Sequence, residues 1–130
     1  MSLADAFAQA TVPAEDIHRA TRFYTEVLGL KKQDVPEQMV AVFEAGNGSS
    51  ILMYQRPGRT KAEHTAITFT VDDLDAVVDG LTAKGVKFEQ YDMGPIKTDA
   101  RGIADQGSHR IAWLTDPEGN ILAILAPKRG

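Results

Sequence analysis

Apolar residues along this chain follow two periods, and the change from one to the other occurs twice. In the run Phe7 to Val12, alternate residues (Ala8, Ala10, Val12) are apolar, the period of a strand. From Ile17 the apolar positions are Ile17, Ala20, Tyr24 and Leu28, with Thr21 on the same face, the spacing of one side of a helix. Pro13 to Glu15 make the turn between them, Asp16 is placed to cap the helix, and Gly29 stops it. The same succession returns at Ala66 to Val71 (strand), Asp72 and Asp73 (cap), Leu74, Val77, Val78 and Leu81 (helix face), and Gly85 (stop).

Ile17 falls on Leu74, Ala20 on Val77, Thr21 on Val78, Tyr24 on Leu81 and Asp16 on Asp73, each at a displacement of 57 (74 − 17 = 57). The chain therefore contains an internal repeat. Each helix is followed by strand-like pieces: Met39 to Glu44 and Ser50 to Gln55, then Lys87 to Gln90, Ile111 to Leu114 and Asn120 to Ala126. Turns fall at Gly46-Asn47-Gly48 and Asp116-Pro117-Glu118-Gly119-Asn120. The prediction is an α+β chain of two βαβββ modules, 1–57 and 64–130, joined by the polar stretch Arg56 to Glu63 within a single domain of 130 residues. Tyr91 to Ser108 has no counterpart in the first half. It reads as a long glycine-bearing loop, the kind of insertion that serves as a lid or binding loop.

Composition narrows the function. A net charge of −4 leaves no positive field for phosphate backbones or anionic membranes, so no nucleic acid and no membrane is expected as partner. The absence of cysteine removes disulfides, thiolate nucleophiles and cysteine-ligated zinc. Apolar runs such as Ile121 to Pro127 fall far short of the roughly 20 residues that cross a bilayer. No basic-then-apolar leader is visible at the N-terminus, and the expected location is the cytoplasm.

Two stretches carry a resemblance: Glu15-Asp16-Ile17-His18-Arg19-Ala20 running into Phe23-Tyr24-Thr25-Glu26-Val27-Leu28-Gly29-Leu30, and Ala112-Trp113-Leu114-Thr115-Asp116-Pro117-Glu118-Gly119-Asn120-Ile121. Together, in this order and within a repeat of this size, they resemble the vicinal oxygen chelate superfamily of glyoxalases, bleomycin-resistance proteins, fosfomycin-resistance enzymes and extradiol dioxygenases. The resemblance implies two βαβββ modules forming a curved mixed sheet around a cavity, often completed across a homodimer. Both motifs have structural causes, a helix docked and stopped and a hairpin closed, so they identify a fold and not a reaction.

Members of the superfamily that use a divalent metal place a ligand on each of four strands. The resemblance puts those positions here at Gln9, Ala66, Ala123 and Met53, with Ile51 the nearest alternative in register. One amide among apolar side chains is too poor a donor set for a divalent cation, so no metal and no other cofactor is expected. A relocated site of Gln9, His64 and His109 is the alternative.

If positions 9, 53, 66 and 123 face the cavity, alternation adds Phe7, Thr11, Ile51, His64, Thr68, Ile121 and Leu125 to that wall, while Ala8, Ala10, Val12, Leu52, Ile67, Phe69, Leu122 and Ile124 turn to the helices. Such a wall, apolar with the polar points Gln9, Thr11, Thr68 and His64, suits a small organic molecule or a dry core. Trp113 is placed to stack on a flat ligand or to anchor packing, and Arg101 is the loop residue best suited to a carboxylate or phosphate. The ligand-binding set is thus Gln9, Thr11, Met53, His64, Thr68, Arg101 and Trp113. The leading functional expectation is a metal-independent small-molecule-binding protein of the resistance or sequestration type. The alternatives are a divergent lyase or isomerase with His64 or His109 as base, a lyase, isomerase or dioxygenase with a relocated metal, and a regulatory or purely structural dimer without a ligand.

Overall fold

The computed structural model describes residues 2–36 and 38–128. They form two compact units, Met1–Arg59 and Thr60–Gly130. In the first, β1 (Ala10–Ala14) is followed by α1 (Ile17–Arg22), β2 (Lys31–Lys32), β3 (Val40–Glu44) and β4 (Ser50–Gln55). In the second, β5 (Thr65–Thr70) is followed by α2 (Leu74–Ala83), the short strands β6 (Asp92–Met93) and β7 (Ile96–Lys97), then β8 (Ile103–Asp105), β9 (His109–Thr115) and β10 (Ile121–Pro127). Each unit holds one four-stranded mixed sheet, and the strand orders correspond: β1-β4-β3-β2 and β5-β10-β9-β8. The fold is α+β, built as βαβββ twice. Among the described residues no helix is long and apolar enough to cross a membrane.

The helix starts are set by the predicted aspartates. Asp16, at φ −122° and ψ 96°, accepts from the Arg19 backbone N–H; Asp73, at φ −125° and ψ 91°, accepts from that of Ala76. Each bond satisfies an otherwise unpaired first-turn donor. The two helices then differ. Thirteen residues separate Asp16 from Gly29 (29 − 16 = 13) but twelve separate Asp73 from Gly85 (85 − 73 = 12). The surplus is absorbed where α1 runs into a π turn, Phe23–Val27, in which the Leu28 N–H reaches back to the Phe23 carbonyl at 3.0 Å.

In the first unit, Tyr24 stacks on Phe43 at 5.3 Å between centroids and 23° between planes, which marks the face of the sheet that carries the helix. Ladder partners share a face: Phe43 pairs with Ile51, and Met53 with both Val12 and Ala41. Ile51 and Met53 are therefore buried on the helix side, while Leu52 and Tyr54 lie on the opposite face. This corrects the expected placement of Met53 and Ile51 on the cavity wall, and of Leu52 under the helix. The landmark failed because the two prolines are not equivalent. Pro127 is the last residue of β10, whereas Pro57 stands two residues beyond the end of β4. A one-residue slip of register turns every side chain over.

In the second unit, Leu74, Val78 and Leu81 of α2 are buried, as are Ile67, Leu114, Leu122 and Ile124 of the sheet. Ladder pairs Leu122 with Leu114 and Ile67, and Ala123 with Trp113 and Thr68, so Thr68, Trp113 and Ala123 lie on the face away from the helix, as expected. Burying a Leu or Ile side chain contributes about 1.5–3 kcal/mol. The helix-side layers are thus the main source of each unit's cohesion.

The segment expected to be a loop supplies one edge strand, β8, to the four-stranded sheet and a separate two-stranded hairpin. β8, drawn from it, is the edge strand beside β9, whereas Lys87 to Gln90 were expected to be a strand. Those four residues form no strand; the Glu89 N–H donates to the Trp113 carbonyl at 2.8 Å instead. β6 and β7 make a two-residue hairpin across Gly94 (φ 62°) and Pro95, closed by the Thr98 N–H, which donates to the Tyr91 carbonyl at 2.9 Å, and by the Thr98 hydroxyl, which accepts from the Tyr91 N–H at 2.8 Å.

Candidate ligand-binding site

The side chains available to a ligand are those on the sheet faces turned away from the helices. In the second unit that face has Trp113, Ala104 and Ala123 as its buried floor, with Tyr91, Ile96, Ile111 and Ile121 packed around them. Tyr91 sets its ring edge against Trp113 at 5.2 Å and 70°. Trp113 is 9% exposed, so its first role is that of a packing anchor. Burial, and then the nearby Glu89 carboxylate, raise the Tyr91 phenol above its ordinary pKa, which keeps it a neutral hydroxyl. Thr68, paired with Ala123, and Thr70, paired with Leu125, are exposed on the same face and give it hydroxyls beside the apolar floor.

In the first unit the corresponding face carries Thr11, exposed, beside Leu52, its ladder partner, and half-buried Val42. At one end of it Gln9 Nε2 donates to Ser50 Oγ at 2.6 Å and Gln33 Nε2 donates to Glu44 Oε1 at 3.0 Å.

Arg101 is held by α2. Its guanidinium donates to Asp75 Oδ1 and Asp79 Oδ1, both at 2.7 Å, and Arg110 takes Asp75 Oδ2 at 2.7 Å. Hydrogen bonds from Arg110 and then Arg101 hold the Asp75 carboxyl well below the usual carboxylate range, and the same bonds raise both arginines. The pairing ties the stretch after the hairpin to the helix.

Of the expected set, the structure thus gathers Thr68 and Trp113 on one face of the second unit, and Gln9 and Thr11 on one face of the first. Met53 is enclosed on the helix side. His64 is exposed just before β5, and Arg101 is engaged by α2 carboxylates. His109, at the start of β9, lies 3.1 Å from the Ser108 hydroxyl through Nδ1. Sequence reading missed Tyr91, Ser50, Glu44 and Gln33. Tyr91 had one available signal, as the aromatic residue that opens the insertion. The other three are polar residues near strand ends and gave no signal.

The superfamily's metal positions can be tested against these surroundings. Gln9 is bonded to Ser50, Met53 lies under the helix, and Ala66 and Ala123 offer no lone pair. Among the described residues no group of three or more His, Cys, Asp or Glu side chains is arranged to hold a metal ion. The residues at these positions do not fit a divalent metal.

Two βαβββ units with matching strand orders define a glyoxalase-type class of protein. The model of the Glyoxalase/Bleomycin resistance protein/Dioxygenase superfamily matches residues 6–124, and the chain belongs to that superfamily. A curated relative from Vibrio parahaemolyticus, "Probable lactoylglutathione lyase", is 26% identical over 128 residues, covering 88% of this chain and 85% of its own. Among solved structures, TnmS3, an antibiotic binding protein from Streptomyces sp. CB03234, superposes with a TM-score of 0.69 at 23% identity over 95% of this chain and 98% of its own. The fosfomycin resistance protein FosX from Listeria monocytogenes does so with a TM-score of 0.72 at 14% identity, covering 95% and 92%. At these identities the two structures share the fold.

Proposed function

We propose that this chain is a metal-independent small-molecule-binding protein that holds its ligand without transforming it, works as a cytoplasmic homodimer, and takes part in sequestration or resistance. The observation that carries this reading is the second unit's sheet face turned away from its helix. There Trp113 and Tyr91 form an aromatic floor flanked by the methyl groups of Ala104 and Ala123 and edged by the Thr68 and Thr70 hydroxyls. Aromatic and aliphatic surface with a few hydroxyls orients a flat organic ligand by stacking and one or two hydrogen bonds. The likeness in fold to an antibiotic binding protein supports the same reading.

Titration with planar aromatic compounds, followed through Trp113 emission and thermal unfolding, tests it. Binding quenches or shifts the emission and raises Tm with ligand concentration. If no planar class moves either signal, the binding reading is wrong. If added Ni, Zn, Fe or Mn raises Tm, metal independence is wrong.

The relative from Vibrio parahaemolyticus favours a second reading, a divergent lyase or isomerase with His64 or His109 as general base. It requires that His64→Ala or His109→Ala abolish turnover of an identified substrate, and unchanged turnover in both variants would exclude it.

A further inference from the structure

On the helix side of its sheet the second unit pairs charges, Arg110 of β9 donating to Asp75 of α2. The internal repeat locates the same place in the first unit. Asp75 falls on His18 (75 − 57 = 18). Arg110 stands across the ladder from Ala126, two residues beyond Ile124, whose own partner is Ala112. In the first unit Met53 pairs with Ala41 in the same way, and two residues on the Gln55 N–H reaches the Met39 carbonyl. His18 and Met39 thus stand where the second unit has its acid and its base.

A cleft of about 590 Å³ opens at this place, between α1 and the connection from β2 to β3. Its floor is low because Ala41 offers only a methyl group on a face that Phe43 and Met53 fill with large buried side chains. Ladder partners share a face, so Lys32, opposite Phe43, leaves its strand on this helix side, and Gln55, two residues beyond Met53, does the same. The ionisable side chains in the lining are His18 and Lys32, both bases, and among the described residues no carboxylate lines the cleft. The aspartates nearest to them in sequence lie outside it: Asp16 caps α1, and Asp34 is exposed. Lys32 and the half-buried Gln55 amide make no side-chain hydrogen bond or ion pair with any described residue.

We propose that this cleft binds a small organic carboxylate carried on an apolar body. Lys32 supplies the positive charge, the Gln55 amide and the His18 ring supply further N–H donors, and the surface of Ile17, Val35 and Ala41 takes the body. A cation meets Lys32 and no carboxylate to offset it. An inorganic anion leaves the apolar floor in water. The cleft is on the helix side of the first unit and shares no residue with the second unit's face around Trp113.

Phenylbutyrate and its neutral counterpart phenylbutanol, titrated into the ¹⁵N-labelled full chain, test the site through the Gln55 side-chain amide and the Ala41 backbone amide. The acid is expected to shift both, and the alcohol to bind about fivefold more weakly, the upper end for an exposed charge pair. Lys32→Gln lowers affinity for the acid about fivefold and leaves the alcohol unchanged, while Lys32→Arg retains both. His18→Asp gives the first unit the acid that the second carries at this place. An acid in a first helical turn does not weaken the helix, so this variant keeps its Tm and no longer holds the carboxylate. Glu37→Gln, which removes a negative charge from the chain between β2 and β3, leaves affinity equal or tighter. Equal affinity for acid and alcohol, unchanged binding in Lys32→Gln or His18→Asp, weaker binding in Glu37→Gln, or equally tight binding of inorganic phosphate overturns the proposal, whatever planar aromatics do at Trp113.

Discussion

Tyr91 meets Trp113 edge-to-face, with ring centroids 5.2 Å apart, and so fastens the first residue of the second unit's insertion to the floor of its open sheet face. The contact joins a β9 side chain to the base of the β6–β7 hairpin, where Thr98 bonds the Tyr91 backbone. Tyr91→Ala removes the aromatic pair and part of the cover over Trp113. It is expected to destabilise the chain by about 1–2 kcal/mol and to shift Trp113 emission to longer wavelength. An unchanged spectrum would show that the hairpin does not shield the indole.

The register of β4 makes a sharper prediction. Met53 is wholly buried on the helix side, whereas Leu52 is half-buried on the other face. Met53→Glu encloses an unpaired charge and costs about 3–5 kcal/mol. Leu52→Glu costs about 1 kcal/mol. Denaturant unfolding of the two variants compares them directly, and equal losses would refute the assigned faces.

Gly102 has φ +89°, and a Cβ built on it would stand 2.6 Å from Phe88 Cβ. Gly102→Ala combines a left-handed backbone with a contact against an atom every other residue also carries, and is expected to cost about 2–4 kcal/mol. Phe88→Ala keeps its Cβ and does not rescue the variant, which a double-mutant unfolding series would verify.

Asp75 is held ionised by Arg110 and Arg101 in the folded chain. Its folded pKa is depressed, so its contribution is fully present above the unfolded value of about 4 and is lost as pH falls below that. The arginines stay protonated throughout. Melting temperatures measured from pH 6 downward should therefore drop more steeply for the natural chain than for Asp75→Asn, whose curve starts lower and lacks this component. Parallel curves would mean that the carboxylate is not coupled to folding. Asp105, lowered by Lys128 and the Gly107 N–H, adds to the same acid-side slope in both proteins.

Much of the plan is legible from residues one after another. The 57-residue repeat, the two aspartate caps and the glycine stops depend on contacts within a turn or two, and the structure places them where local chemistry puts them. In β5 even the phase is readable, because Thr68 and Thr70, two residues apart, interrupt the apolar run and mark one face. The run Ile51-Leu52-Met53 has no such mark. Both of its faces are apolar, so alternation gives the period and leaves the phase open.

By itself, then, the sequence determined the repeat, the two capped helices, the membership of the superfamily and the poverty of metal donors, since all four follow from residue identity and short-range spacing. The tertiary structure decided what depends on partners far along the chain. Val12 and Ala41 pair with Met53 and turn it to the helix; β9 recruits Ile103–Asp105 as an edge strand out of an apparent loop; Asp75 and Asp79 claim Arg101. The pairing of Gln9 with Ser50, 41 residues apart, likewise exists only once parallel β1 and β4 are side by side. Hydrogen-bond ladders and ion pairs between distant segments select one arrangement among several that local preference allows, and they do so only when the chain is folded.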